Sequence, residues 1–548
     1  MRKRGTKRES GGPAALAAAG CAALALALAC LGVPGCAPEP EPEPDAAASA
    51  SDAEGDPSGL GDMGDVAPPE GQEPEGAALA ARIDAYLDRN FPATGVPGVA
   101  VAVVDGQDVR YLRTLGDVPG PDAPFVIGSL SKSFTALAVM QLVEEGAIDL
   151  DAPASAYAPA YDVPAAVTVR DLLNQTSGFG YYESLADARA GDAFGEFSYA
   201  NANYDLLGRI VEAVSGQSYA DYLDGRVLGP LGMATSSADP ARAAAFGMAP
   251  GHRAWFGVPV ADGFVHGSSD EAWGAAPSGY VASSVEDMAR YLQMYLNGGV
   301  GANGARVLSP EGVASMFLDR VPDPEGDTYY GMGWTSFCWD DGELVLSHDG
   351  QVENYVASMC LLPERDLGVV VLGDASDHAG GDGLFFDMAS GVVAAAVGAD
   401  PEPVDAAWVW RAHQRDDVLY LSVSLACALP LVTLPRWAAR RGDGSASRSF
   451  GGGDGSASRS FGGRGRSARV VRAVLLHVVA PLVLLALPFA WGVPWRDLLA
   501  FAPDVSAVLL VCAALLVVAG VAKPMLVAKG SRDDGPRNDP AVKNTHAV

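Results

Sequence analysis

Cysteine and histidine are both scarce, with seven of each in 548 residues. No C-x-x-C pair occurs, and the histidines fall at no ligand spacing. Cys21, Cys30, Cys427 and Cys512 lie inside apolar runs. No metal site and no cofactor is therefore expected. Basic side chains are also short, 37 against 67 acidic, for a formal charge of −30, which argues against a nucleic-acid partner. No G-x-S-x-G is present, so the nucleophile elbow of an α/β-hydrolase is disfavoured. A lone G-x-G-x-x-G at Gly59–Gly64 has no strand before it and no helix after it, and is no dinucleotide site.

What the chain does have is strongly segmented. Residues 1–36 read as an export segment: Arg2, Lys3, Arg4, Lys7 and Arg8, then an apolar stretch from Ala14 to Val33. That stretch closes on Val33-Pro34-Gly35-Cys36, which resembles a bacterial lipoprotein processing site with Cys36 as lipid anchor. An uncleaved signal anchor is the rival reading. Residues 37–76 carry twelve acidic side chains and no Lys or Arg, a composition too polar to fold, and are expected to be a disordered tether.

The C-terminal part reads as membrane-embedded. A linker at 401–417 leads to apolar spans at 418–434, 470–491 and 505–522, with a tail at 523–548. The 435–469 loop holds eight arginines, from Arg436 to Arg469, against Asp443 and Asp454. The excess of positive charge places that loop in the cytoplasm and the preceding domain outside the cell membrane. The loop repeats an eleven-residue Gly/Ser/Arg-rich unit at 442–452 and 453–463, read as low-complexity duplication.

Between tether and spans, residues 77–400 have the pattern of a folded domain. Ile83, Tyr86 and Leu87 share a helix face, and Val99–Val104 reads as a β-rich run turning at Asp105-Gly106. Helices are expected at 203–215 and after a capping box of Ser283 with Glu286. A meander follows from Gly331 to Leu372, with a hairpin at Asp341-Gly342 and a buried strand at Leu367–Leu372. Strands at both ends with helices between predict one antiparallel sheet with an inserted helical subdomain, an α+β architecture.

Three short motifs carry chemistry. Ser129 and Lys132 form S-x-x-K where an extended run gives way to helical spacing at Ala136, Val139, Met140 and Val143. At i and i+3 the amine lies over the hydroxyl, close enough to take its proton. Tyr199-Ala200-Asn201 precedes the helix at 203, and His348-Asp349-Gly350 ends a strand at Leu344–Ser347.

Together with Leu172-Leu173-Asn174-Gln175-Thr176-Ser177-Gly178 and the stretch 363–372, these motifs resemble the serine β-lactamase and penicillin-binding-protein superfamily. The nearest branch is the class C β-lactamase-related group of DD-peptidases, D-aminopeptidases and esterases. The resemblance spans roughly residues 85 to 398. It implies a β-lactamase/transpeptidase-like fold and an acyl-enzyme on Ser129. Tyr199 would be general base, its phenol lowered by Lys132, and Asn201 would orient substrate or support the lysine. The amides of Ser129 and Gln351 would hold the oxyanion, and Gly350 would leave room for substrate along the strand. His348-Asp349-Gly350 departs from the Lys-Thr-Gly of β-lactamases, and Asp349 in the pocket would repel a substrate carboxylate. The implied substrates are small D-amino-acyl peptides or esters of the envelope, including peptidoglycan-like ones. A DD-carboxypeptidase and a catalytically silent ligand-binding ectodomain are the alternatives.

Overall fold

The computed structural model describes residues 76–267, 269–324, 326–339, 342–439 and 470–533. The export segment with Cys36, nearly all of the acidic tether, most of the arginine-rich loop with its duplication, and the end of the tail lie outside the described residues. The chain divides into two compact units. One contains residues through His413 together with Ala500–Ala502, and the other contains Gln414–Leu499 and residues from Pro503.

The first unit is built on an eight-stranded, wholly antiparallel sheet. In chain order its strands are β1 (Gly98–Val104), β2 (Val109–Gly116), β3 (Val321–Pro322), β4 (Tyr329–Gly331), β5 (Trp334–Cys338), β6 (Leu344–Gln351), β7 (Val356–Leu362) and β8 (Leu367–Gly373). The spatial order is β2-β1-β8-β7-β6-β5-β4-β3, so first and last strands pair with each other one strand in from the β2 edge. Val99 pairs with Gly373 and Val104 with Gly368. The predicted closure of the sheet by the two ends of the domain is thus observed.

Side chains alternate between the two faces, as a pleated strand requires. Ala100, Ala102, Leu346, Met359, Leu361 and Val370 join one core. Val99, Val101, Val345, Cys360, Leu362 and Val371 join the other. The second core is covered by α1 (Gly76–Thr94) and α5 (Gly381–Val397), through Ile83, Leu87, Phe385 and Val392. The first core takes α2 (Ser131–Glu144), α3 (Asn201–Ser215) and α4 (Val285–Leu296). The predicted capping box of Ser283 with Glu286 is not formed; a simple N-cap stands one residue later. Ser284 is the N-cap and accepts from the Asp287 amide, while Ser283 lies in a short strand and hydrogen-bonds Ser236. Cys338 is an exposed and Cys360 a buried free thiol.

In the C-terminal part, Ala407–Ala439, Val470–Ala490 and Pro503–Leu526 are long and apolar enough to cross a membrane. The first begins eleven residues before the expected span at 418, because helical backbone continues through the polar residues of the expected linker.

Candidate active site

Ser129 sits in a single 3₁₀ turn, Gly128–Leu130, immediately before α2. The turn is pressed against the end of β6. Gly128 has φ +56°, and a Cβ there would stand 2.6 Å from the Gln351 amide nitrogen and from the Gly350 carbonyl carbon. Only glycine combines that dihedral with that approach. A Cβ on Gly350 would in turn meet the Ile127 carbonyl oxygen at 2.3 Å. Gly350 is therefore small because protein backbone crosses it, where the sequence reading expected substrate.

Lys132, the second residue of α2 and one turn beyond Ser129, is fully buried. Its Nζ donates to Ser129 Oγ (3.0 Å), Asn201 Oδ1 (2.7 Å) and the Ser278 carbonyl (2.7 Å). Three donors meet three acceptors, so the amine is held in one place. Burial lowers its pKa to about 7, against the opposing charge of Asp205. The Tyr199 hydroxyl donates to Ser129 Oγ at 2.8 Å, and Lys132 Nζ lies 4.6 Å from the Tyr199 ring centre. Burial, with Tyr330 beside it, holds the Tyr199 phenol well above its ordinary value. The expected lowering by Lys132 does not occur; at neutral pH this tyrosine is a hydrogen-bond donor.

The L-L-N-Q-T-S-G stretch explains itself here. Gln175 is buried at φ +59°, and its Oε1 accepts from the Ala200 amide (3.0 Å) and from Asn203 Nδ2 (2.5 Å). A strained loop thereby fixes the backbone that presents Tyr199 and Asn201.

His348 and Asp349 part company. Even-numbered residues of β6 face the helical side, where Leu346 packs, and odd-numbered residues face α1 and α5 with Val345. His348 is buried on the Ser129 side, with Nε2 3.3 Å from the Tyr330 hydroxyl and Nδ1 2.7 Å from the Asp349 carbonyl. Burial and the charge of Lys132 depress its pKa to about 3, so the imidazole is neutral. Asp349 pairs across the ladder with Ser358, two residues from Cys360 of the second core. Its carboxylate is on the far face of the sheet, and the repulsion expected from it in the acyl pocket does not arise. Burial lifts it to about 7, with Ser358 as partial relief. The Gln351 amide group donates to the Asp382 carboxylate, tying the end of β6 to the start of α5.

Sequence reasoning also missed Asp205, one turn beyond Asn201 on α3. It is buried, accepts from the Ala275 amide at 3.1 Å, and sits within electrostatic reach of Lys132. An aspartate in the first, wholly buried turns of that helix was the available signal. Tyr181, 48% exposed, stands 6.2 Å from Tyr199 and 5.5 Å from Trp273 between ring centres, forming an aromatic wall at the opening.

An antiparallel sheet, a buried S-x-x-K lysine and a tyrosine on one serine define a class, and the comparisons agree. Residues 79–382, more than half of the chain, match the Beta-lactamase family, and the chain belongs to it, within the superfamily of β-lactamase and penicillin-binding-protein-like serine hydrolases. Penicillin-binding protein 4 of Amycolatopsis lactamdurans is 28% identical over 363 residues, covering 59% of this chain and 94% of that protein. Protein flp of Staphylococcus aureus is 27% identical over 328 residues, 54% of this chain, which spans only 63% of flp's length. The octameric penicillin-binding protein homologue from Pyrococcus abyssi superposes with a TM-score of 0.50 at 27% identity, over 60% of this chain and 80% of that one.

Proposed function

We propose that the protein is a membrane-held serine hydrolase that works outside the cell membrane through an acyl-enzyme on Ser129. The observation that carries this reading is the double contact on Ser129 Oγ, from Lys132 Nζ at 3.0 Å and from Tyr199 at 2.8 Å. Lys132, titrating near 7, takes the proton as Oγ attacks the substrate carbonyl. The amides of Ser129 and Gln351, brought together by Gly128, receive the developing oxyanion. Tyr199 relays that proton from Lys132 to the leaving group; water then gives a proton to the same relay as it attacks the acyl-enzyme, the relay returns it to Ser129 Oγ, and the acid is released. Asn201 holds the lysine in register.

The substrates in this reading are small D-amino-acyl peptides or esters of the envelope. His348 is neutral and supplies no cation for a terminal carboxylate, which favours esters and amides over peptides ending in free D-Ala. Tyr181 and Trp273 suit an apolar acyl side chain. A DD-carboxypeptidase or penicillin-binding role is the second reading, favoured by similarity over 94% of the length of a penicillin-binding protein. A panel of aryl esters, D-alanyl amides, D-Ala-D-Ala peptides and a chromogenic β-lactam, assayed on the full chain in detergent, separates them. Preference for the free-carboxylate peptide selects the second reading, and turnover of none of the panel contradicts both.

A further inference from the structure

Behind Lys132 lies a second set of buried charges that acyl transfer does not consume. Asp205 comes from α3, His266 from irregular backbone eight residues before Gly274, and Glu353 from the turn after β6, two residues beyond Gln351. Glu353 is only 2% exposed. Its Oε1 is 2.7 Å from His266 Nδ1, and both of its oxygens accept from Tyr280 at 3.2 Å. The other ring nitrogen of His266 lies 2.8 Å from the Gly274 carbonyl, and its ring stacks on Tyr280 at 3.6 Å. Two acceptors on the two ring nitrogens suit an imidazolium. The Ala275 amide, next to Gly274, donates to Asp205, whose field reaches both His266 and Lys132. Charges of alternating sign thus run from Lys132 on the S-x-x-K helix through Asp205 on α3 and His266 to Glu353 in the third-motif turn.

We propose that Asp205, His266 and Glu353 are positioning residues for Lys132, Asp205 serving as counter-ion to the lysine and the His266–Glu353 pair keeping Asp205 ionised. Without a partner, a carboxylate at this depth takes up a proton and its hold on the amine is lost. Burial raises Asp205 to about 6 even with Lys132 and His266 present. For His266, burial works against the charged form, and the bond to Glu353 overcomes it and holds the ring above its ordinary value. The other groups facing Lys132 are Tyr199, the Tyr204 ring and neutral His348, and Tyr219 also faces Asp205. Asp205 is the carboxylate whose field acts on the lysine.

The proposal rests on Ser129 being activated by Lys132, and the test separates the two. The second-order rate of labelling by a fluorophosphonate is measured against pH for the full chain in detergent. Loss of labelling in Ser129→Ala checks the underlying reading first; an unlabelled wild type overturns that reading and this proposal together. Removing an anion makes the ammonium easier to deprotonate, so Asp205→Asn should move the acid limb down by about one pH unit or more. His266→Gln and Glu353→Gln act through Asp205 and should move it the same way by less. Combining Asp205→Asn with His266→Gln should add nothing beyond Asp205→Asn alone. A limb that stays in place in Asp205→Asn, or shifts that simply add, overturns the proposal. If Asp205→Asn does not fold, His266→Gln and Glu353→Gln decide, and an unmoved limb in both overturns it.

Discussion

A side chain on Gly350 would meet the Ile127 carbonyl oxygen at 2.3 Å. The serine-bearing turn and the third-motif strand are therefore in backbone contact, and the two amides assigned to the oxyanion are set by that contact rather than by side chains. Gly350→Ala must push the turn and strand apart. We expect fluorophosphonate labelling to fall at least ~100-fold, the scale for losing one oxyanion donor, while circular dichroism stays native. Near-normal labelling would show that the contact does not set the oxyanion geometry.

Asp349 should govern stability instead of specificity. Its ordinary pKa is near 4 and its folded value about 7. The folded state therefore binds a proton that the unfolded state has lost, and the stability this provides fades as pH rises through 7. Asp349→Asn should raise Tm at pH 8 more than at pH 5, and Asp349→Thr should leave the ester-to-peptide preference unchanged. Thermal melts at the two pH values and the substrate panel check both statements.

Lys132 should set the acid limb of activity. With the amine titrating at about 7, kcat/KM should rise through neutrality and level off above it. Lys132→Ala and Tyr199→Phe should each cost orders of magnitude. Lys132→Arg should not rescue, because a guanidinium keeps its proton. A flat profile from pH 5 to 8 would remove the lysine from the proton transfer.

Much of this was legible in the chain. Spacing placed Lys132 over Ser129, and strands at both ends of the domain implied a sheet closed by its first and last segments. Lys132 carried a further mark, being the only lysine between Lys7 and Lys523. Asp349 was misread because the strand was expected to stop at Ser347. It continues to Gln351, and strand alternation then puts His348 and Asp349 on opposite faces. The role of Gln175, and the residues Asp205, His266 and Glu353 altogether, escaped for a different reason. Each acts through contacts 25 to more than 80 residues away in sequence, which no local pattern records.

Topology is testable apart from chemistry. A reporter fused after Asp400 should be active outside the cell, and one inserted within 442–463 should be active inside, following the arginine-rich loop. Cys36→Ser should block fatty-acid labelling yet leave the protein in the membrane fraction through its three apolar helices. Reporters active on the reverse sides would contradict this orientation.

The central claim is one nucleophile, Ser129, primed by Lys132 and Tyr199. Peptide mass spectrometry after fluorophosphonate treatment of the full chain tests it directly. The account predicts a single adduct on the peptide containing Ser129, absent from Ser129→Ala and strongly reduced in Lys132→Ala. An adduct on another serine, or labelling that persists in Ser129→Ala, would contradict it.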